Sequence, residues 1–379
     1  MTATSNAATN SAEMQHLYVH VPFCARRCSY CDFSISVRSV TPVASYVESV
    51  ALELARHDTS TWKLNTVYLG GGTPSRLGAG IADVLDAVRA SAAVAPDAEI
   101  TIEANPDDVT DALVAAWVTA GVNRVSLGAQ SFDEGALQWM HRTHSAHQIE
   151  TAFRSLRDGG IDNISMDLIF ALPETLGRDW DADLDRVLLL APDHLSLYGL
   201  TVEPHTPLGR WHARGDVAEA PEESYEIQFM TAHERLGSAG FEHYEVSNFA
   251  TPGRRSRHNS SYWSGVAYAG IGPSAHSFDK YARSWNVAAH TDWEKRLRAG
   301  DSTVAGTELL TIENRQAERV YLGLRTTSGL IATDAEVAVA RPWLDAGWAK
   351  LVRGAIVLTA TGFLRLDALA ASLTVAGSR

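Results

Sequence analysis

Cys24, Cys28 and Cys31 are the only cysteines in the 379-residue chain, spaced Cys-x3-Cys-x2-Cys. They directly follow Leu17-Tyr18-Val19-His20-Val21, an apolar run that reads as a strand. A loop this short can wrap three thiolates around one face of a metal cluster but cannot form two disulfides. Soft thiolates suit an iron–sulfur cluster or zinc. Structural zinc wants four protein ligands, so a histidine such as His16 or His20 would have to finish that site. Three thiolates on a 4Fe–4S cube instead leave one iron without a protein ligand, open to a substrate.

Other residues able to do chemistry fall at the ends of apolar runs. Gly70-Gly71-Gly72-Thr73-Pro74 follows one such run, and glycine lets the backbone approach a ligand closely. Alone, a glycine triplet is more often a turn. Glu103 ends another run and can accept hydrogen bonds from a ribose or an ammonium. Gln130 ends the next, and Arg142 lies twelve residues later, suited to a bidentate carboxylate. Asp167 interrupts Ser165-Met166-Asp167-Leu168-Ile169-Phe170, where burial without a partner is costly. Further on stands His258-Asn259-Ser260-Ser261-Tyr262-Trp263, preceded by Arg254, Arg255 and Arg257. An imidazole can ligate a metal, Tyr262 and Trp263 offer apolar faces, and the arginines can meet carboxylates. Equally, Tyr262 and Trp263 can pack under the fold while His258 holds a turn.

Alternating strand-like and helix-like segments must position these residues, which argues for parallel βα units. Leu17 to Val21 is the first expected strand, then Thr66 to Leu69, Glu99 to Glu103, Val125 to Gln130, Ile164 to Phe170 and His194 to Leu200. Helices are expected over Val43 to Arg56, with Val43, Val47, Val50 and Leu54 on one side, and over Ile81 to Ala93, Asp108 to Ala120, Ile149 to Arg157, Trp180 to Leu190 and Glu222 to Leu236. Six units without two more of equal clarity predict an α/β fold, an open (β/α)6 partial barrel, whose functional residues lie at the C-terminal ends of strands. From Phe241 the rhythm is lost. Tyr244 to Phe249 reads as one more strand, Gly270 to His276 as a tight turn, and Ile312 to Leu324 as a long helix. Asp334 to Leu373 reads as helices, a hairpin at Arg353-Gly354 and a closing helix, a small winged-helix-like α+β domain. The expected division is a tail over 1–15, the barrel over 16–240, an extension over 241–306 and a C-terminal domain over 307–379.

Composition is that of a soluble globular protein, 45% hydrophobic and 20% charged. The net charge of −13 argues against nucleic-acid binding. The polar start, Met1 to Gln15, lacks the apolar core of a signal peptide, and clustered thiols without disulfide partners point to the cytoplasm. Any membrane contact is expected through a partner.

Cys24-x3-Cys28-x2-Cys31, with Tyr30 before the last cysteine, resembles the signature of radical S-adenosylmethionine enzymes. The resemblance implies a 4Fe–4S cluster whose open iron chelates S-adenosylmethionine, cleaved by one electron to methionine and a 5′-deoxyadenosyl radical. It also implies an electron donor such as flavodoxin or ferredoxin. Tyr18-x-His20-x-Pro22-Phe23-Cys24, Gly70 to Pro74, Gly128-Ala129-Gln130-Ser131-Phe132 and Asp167 to Pro173 narrow the resemblance to the coproporphyrinogen dehydrogenase branch. There the positions of Tyr18, Gly71 and Glu103 contact the cluster-bound S-adenosylmethionine. Those of Tyr30, Gly72, Thr73, Gln130, Arg142 and Asp167 contact a second molecule of it.

The decarboxylases of that branch carry another cysteine two places after the third, where this chain has Phe33. Cys31-Asp32-Phe33 and the His-Asn-x-x-Tyr-Trp motif resemble the HemW-type haem chaperones. That resemblance implies haem as ligand at His258, Asn259, Tyr262 and Trp263, respiratory haem proteins as recipients, and no decarboxylase activity. Cluster loading offers a route to a homodimer. The alternatives are an oxygen-independent coproporphyrinogen III oxidase and a radical methyltransferase. His276, in the glycine turn, is expected to face the adenine site.

Overall fold

The computed structural model describes residues 13–377. Six parallel strands form its centre: β1 (His16–Val21), β2 (Lys63–Gly71), β3 (Ala93–Ala104), β4 (Arg124–Gln130), β5 (Ile164–Phe170) and β6 (His194–Gly199), paired in chain order. These strands read as apolar runs because helices cover the outer face and the barrel encloses the inner one. Side chains alternate between faces. In β5, Met166 and Leu168 are fully buried in the core, while Asp167 and Ile169 line the cavity inside. The covering helices are α1 (Val43–Leu54), α2 (Ile81–Ser91), α3 (Asp111–Thr119), α4 (Ala146–Asp158), α5 (Trp180–Leu190) and α6 (Glu222–Ser238). Ser145 and Gln148 close a capping box on α4, satisfying backbone donors that a helix start leaves free.

The six expected strands are present, and the sheet extends beyond them to nine. The stretch expected as one strand, Tyr244 to Phe249, is instead a hairpin of β7 (Glu242–Glu245) and β8 (Asn248–Ala250), antiparallel to β6 through β8. The expected glycine turn begins as a strand, β9 (Ala269–Ile271), running parallel to the outer edge of β1 with Leu17 opposite Ala269. No ladder joins β9 to β7 among the described residues, so the barrel is open.

The core side of α1 carries the expected Val50 and Leu54, with Val43 and Val47 half-buried against the core, and widens to Tyr46, Ser49 and Glu53. Glu53 is 2% exposed. Its carboxylate accepts hydrogen bonds from Gly272 N at 2.7 Å, Asn286 Nδ2 at 2.7 Å, Trp293 Nε1 at 2.9 Å and Thr303 Oγ1 at 3.0 Å. A buried carboxylate needs such partners, and here all four come from the segment after the barrel.

That segment contains α7 (Arg257–Trp263), α8 (His290–Ala299) and a three-stranded antiparallel sheet of His276–Phe278, Ala282–Asn286 and Val304–Leu309. The expected long helix is α9 (Ile312–Arg325). After it, Leu330–Ile331, Ala349–Val352 and Ala355–Leu358 form a small antiparallel sheet with helices at Asp334–Asp345 and Leu366–Gly377. Arg353 and Gly354, both at positive φ (51° and 82°), make its hairpin turn as expected. Most of the expected N-terminal tail lies outside the described residues. Of its last three residues, Met14 packs on the core and Gln15 accepts a backbone hydrogen bond from Asn65. Among the described residues no helix is long and apolar enough to cross a membrane.

Candidate functional site

At the C-terminal end of the strands lies a cavity of about 400 Å³, walled on one side by the Cys24–Cys31 loop. Cys24 is buried, Cys28 and Cys31 half-buried. Thr73 Oγ1 donates to Cys24 Sγ at 3.3 Å, and Arg142 Nη1 to Cys28 Sγ at 3.4 Å. Arg142 is fixed by Nη2, which donates to Asn105 Oδ1 at 2.6 Å and Gly128 O at 2.9 Å. Burial raises the Cys24 thiol and pushes Cys31 up to about 11, so ligation of a metal must displace protons. Among the described residues, no three His, Cys, Asp or Glu side chains converge as a single metal ion requires. Three thiols spread along one loop suit the separate corners of a cube instead. The donor set therefore fits an iron–sulfur cluster better than zinc.

Two glycines of the second motif are there because nothing larger fits. Gly71 has φ 112°, and a Cβ on it would lie 2.5 Å from the His20 ring. One on Gly72 would lie 2.8 Å from Pro22 C. Real Cβ contacts do not come so close, and L side chains avoid that φ. Gln130 also takes a left-handed backbone, φ 67°, at the end of β4, a strained conformation of the kind that collects at functional sites.

Glu103 stands between this cavity and a second one of about 390 Å³. Its Oε1 accepts from Tyr68 Oη at 2.8 Å and its Oε2 from Gly71 N at 3.0 Å. Burial raises its carboxyl to about 7 against those hydrogen bonds. Asp167 accepts from Ser126 Oγ at 3.0 Å, and burial raises it too. The two cavities divide the expected residues. Tyr18 lines the second, with Gly71 and Glu103 on the shared wall. Tyr30, Gly72, Thr73, Gln130, Arg142 and Asp167 line the first. His276 lines the second cavity, beside Tyr18 and Tyr262.

The His-Asn-x-x-Tyr-Trp motif is not one surface. It forms α7, whose first two residues are anchored where Glu99 accepts from the backbone N–H groups of Arg257 and His258, each at 2.9 Å. His258 is 1% exposed, with Nδ1 2.7 Å from Thr66 Oγ1 and Nε2 2.8 Å from Tyr262 Oη. Its ring stacks on Tyr68, centroids 5.0 Å apart. Burial, with positive charge nearby from His16 and Arg124, lowers its pKa to about 3. In this arrangement His258 offers no free nitrogen to haem iron. Asn259 is half-buried on the same helix, Tyr262 reaches the second cavity, and Trp263 lines a separate cleft.

The three arginines expected to meet propionates are engaged elsewhere. Arg254 lies 3.9 Å from Asp193, Arg255 pairs with Glu242 at 2.9 Å, and Arg257 donates to Asp97 O at 2.6 Å. Sequence reasoning missed Asn105, Ser126 and Tyr68. Asn105, two places after Glu103, was the readable signal; the other two were visible only by strand parity.

The Radical SAM superfamily description matches residues 18–187. The haem chaperone HemW of Mycobacterium tuberculosis is 36% identical over 366 residues, covering 94% of each chain. That of Synechocystis is 37% identical over 323 residues, 83% of this chain and 78% of its own. Among solved structures, the coproporphyrinogen III oxidase of Escherichia coli superposes with a TM-score of 0.80 over 97% of this chain and 91% of that one. At 21% identity it speaks to the fold alone. Radical SAM membership implies a 4Fe–4S cluster and S-adenosylmethionine, for which the cysteine loop and its cavity are suited. On the strength of these relatives, the chain belongs to the HemW haem-chaperone family of the radical S-adenosylmethionine superfamily.

Proposed function

We propose that this protein binds haem and delivers it to respiratory haem proteins, while holding a 4Fe–4S cluster through Cys24, Cys28 and Cys31 with S-adenosylmethionine on the open iron. The observation that carries the reading is Phe33. It lines both cavities and is 58% exposed, at the place where the related decarboxylases have a further cysteine. An apolar ring there supplies no thiol for radical chemistry. When bound, the cluster and S-adenosylmethionine supply one-electron cleavage of a sulfonium, fed by a donor such as flavodoxin or ferredoxin.

The chain's own residues prepare that site. Thr73 and Arg142 donate to two of the three sulfurs and hold them in place on the cavity wall. Glu103, poised near neutrality at the wall between cavities, can accept from an ammonium or a ribose hydroxyl. In the partly enclosed barrel interior each of these hydrogen bonds counts for more than in water.

The test is anaerobic cluster reconstitution, then haem titration with coproporphyrinogen III turnover measured alongside. Stoichiometric haem binding without turnover is expected. Conversion of coproporphyrinogen to protoporphyrinogen would overturn the reading in favour of the decarboxylase.

A further inference from the structure

A third cavity, a cleft of about 420 Å³, lies outside the barrel between α7, α9 and the turn after Phe278. Its apolar lining includes Trp263, Phe278 and Leu330. The indole N–H of Trp263 is buried there with no hydrogen-bond partner. The ring is held from one face by the Arg325 guanidinium, 4.1 Å from its centroid, which is itself ion-paired to Glu245. Leaving a buried donor unpaired is unfavourable, and a ligand carboxylate reaching it would relieve it.

The charges around the cleft are unequal. Glu318 is already paired with Arg283, and Arg319 with Glu336. Lys280 and Arg315 line the cleft as well, and their side chains make no hydrogen bond or ion pair among the described residues. Both are exposed. One lies on the turn between the first two strands of the His276–Leu309 sheet and the other in the first turn of α9. Two unengaged cations beside an apolar pocket are unusual on a chain with a net charge of −13. The lining holds three cations, Lys280, Arg315 and Arg319, against one carboxylate, Glu318, a balance opposite to that of the whole chain.

We infer that this cleft is the docking site for a flat, apolar dicarboxylate, the porphyrin of haem, with Lys280 and Arg315 taking its two carboxylates and Trp263 lying against its face. The inference rests on the haem-chaperone reading and adds the location. It also accounts for the motif's split geometry: His258 is closed inside the barrel, while Trp263, five residues on, reaches this ligand-sized cavity. The arginines of the 254–257 stretch are occupied, whereas these two cations are free.

The experiment titrates haem, and in parallel iron-free protoporphyrin IX, into wild type, the double variant Lys280→Glu/Arg315→Glu and Trp263→Phe. Cluster absorbance and S-adenosylmethionine binding are recorded for each as controls of folding. Expected is at least a tenfold loss of porphyrin affinity in the double variant, a smaller loss in Trp263→Phe, and unchanged controls. Raising the salt concentration weakens wild type more than the double variant. Haem binding by wild type that both variants retain in full would overturn the location and leave the chaperone reading standing. No haem binding by wild type would overturn both.

Discussion

His258 Nε2 lies 2.8 Å from Tyr262 Oη, while its Nδ1 meets Thr66 Oγ1 at 2.7 Å. Thr66 Oγ1 in turn lies 3.0 Å from His16 Nδ1. The imidazole thus positions a tyrosine that borders the Glu103 cavity. Removing it empties a buried site and takes a partner from the Tyr262 hydroxyl, while Thr66 keeps His16. His258→Ala is expected to lose about 3 kcal/mol of stability, and Tyr262→Phe about 1 kcal/mol. Urea titration of the metal-free protein measures both. A His258→Ala variant as stable as wild type would contradict the role. Loss of haem binding in that variant is diagnostic of ligation only if its stability is first shown to be intact.

Gly71 and Gly253 share a positive φ, 112° and 80°, but only Gly71 faces a wall. Gly253→Ala should cost about 1 kcal/mol, the backbone penalty alone. Gly71→Ala should cost more than twice that, because its methyl group meets the His20 ring, and should shift the Glu103 hydrogen bond at Gly71 N. Equal costs from denaturation midpoints would mean that the ring moves aside freely.

Glu53 gathers four donors from residues 272–303 into the barrel. Glu53→Ala leaves them buried and unpaired, and a loss of about 3–5 kcal/mol is expected. Glu53→Gln keeps one acceptor and turns an NH2 toward donors, for about 2 kcal/mol. A chain ending near residue 240 lacks every one of these partners and is expected not to give a stable fold; a cooperative unfolding transition from that fragment would contradict this.

The Glu103 carboxyl, raised by burial to about 7 from an ordinary 4.5, binds its proton more tightly in the folded protein. Its contribution is therefore fully present below pH 4.5 and is lost as pH rises through 7. Glu103→Gln mimics the protonated form at every pH. Relative to wild type, this variant should gain on the order of 2 kcal/mol between pH 5 and pH 8, measured without cofactors. A stability difference that does not change with pH would show that the carboxyl stays ionised throughout.

The six parallel strands and the cysteine loop were legible because burial on both faces writes each strand as a short apolar run, and because Cys24, Cys28 and Cys31 have no other partner in the chain. What stayed hidden was short or paired at long range. β9 is three residues within a glycine-rich stretch, so its composition signals a turn; only its pairing with β1 makes it a strand. Val246 and Ser247 form a turn without glycine or proline inside an otherwise strand-like run, so the β7–β8 hairpin read as one strand. Glu53 occupied a core-facing helical position, yet its four donors lie more than 200 residues away and leave no local trace. The haem motif was legible as letters, but which of its side chains face inward depends on α7 packing against Tyr68 and Thr66.

The pairing of Leu17 with Ala269 carries a consequence for how the protein is made. The strand that launches the cysteine loop is made well before its outer neighbour, which follows about 250 residues later. At ordinary translation speeds that is a wait of roughly 12–50 s, during which one edge of β1 is unpaired and open to mispairing. His20 O, which lies next to Gly272 in the finished protein, is without that neighbour for the same interval. The cysteines are thus synthesised early, and their loop is framed only after residues 269–272 have followed.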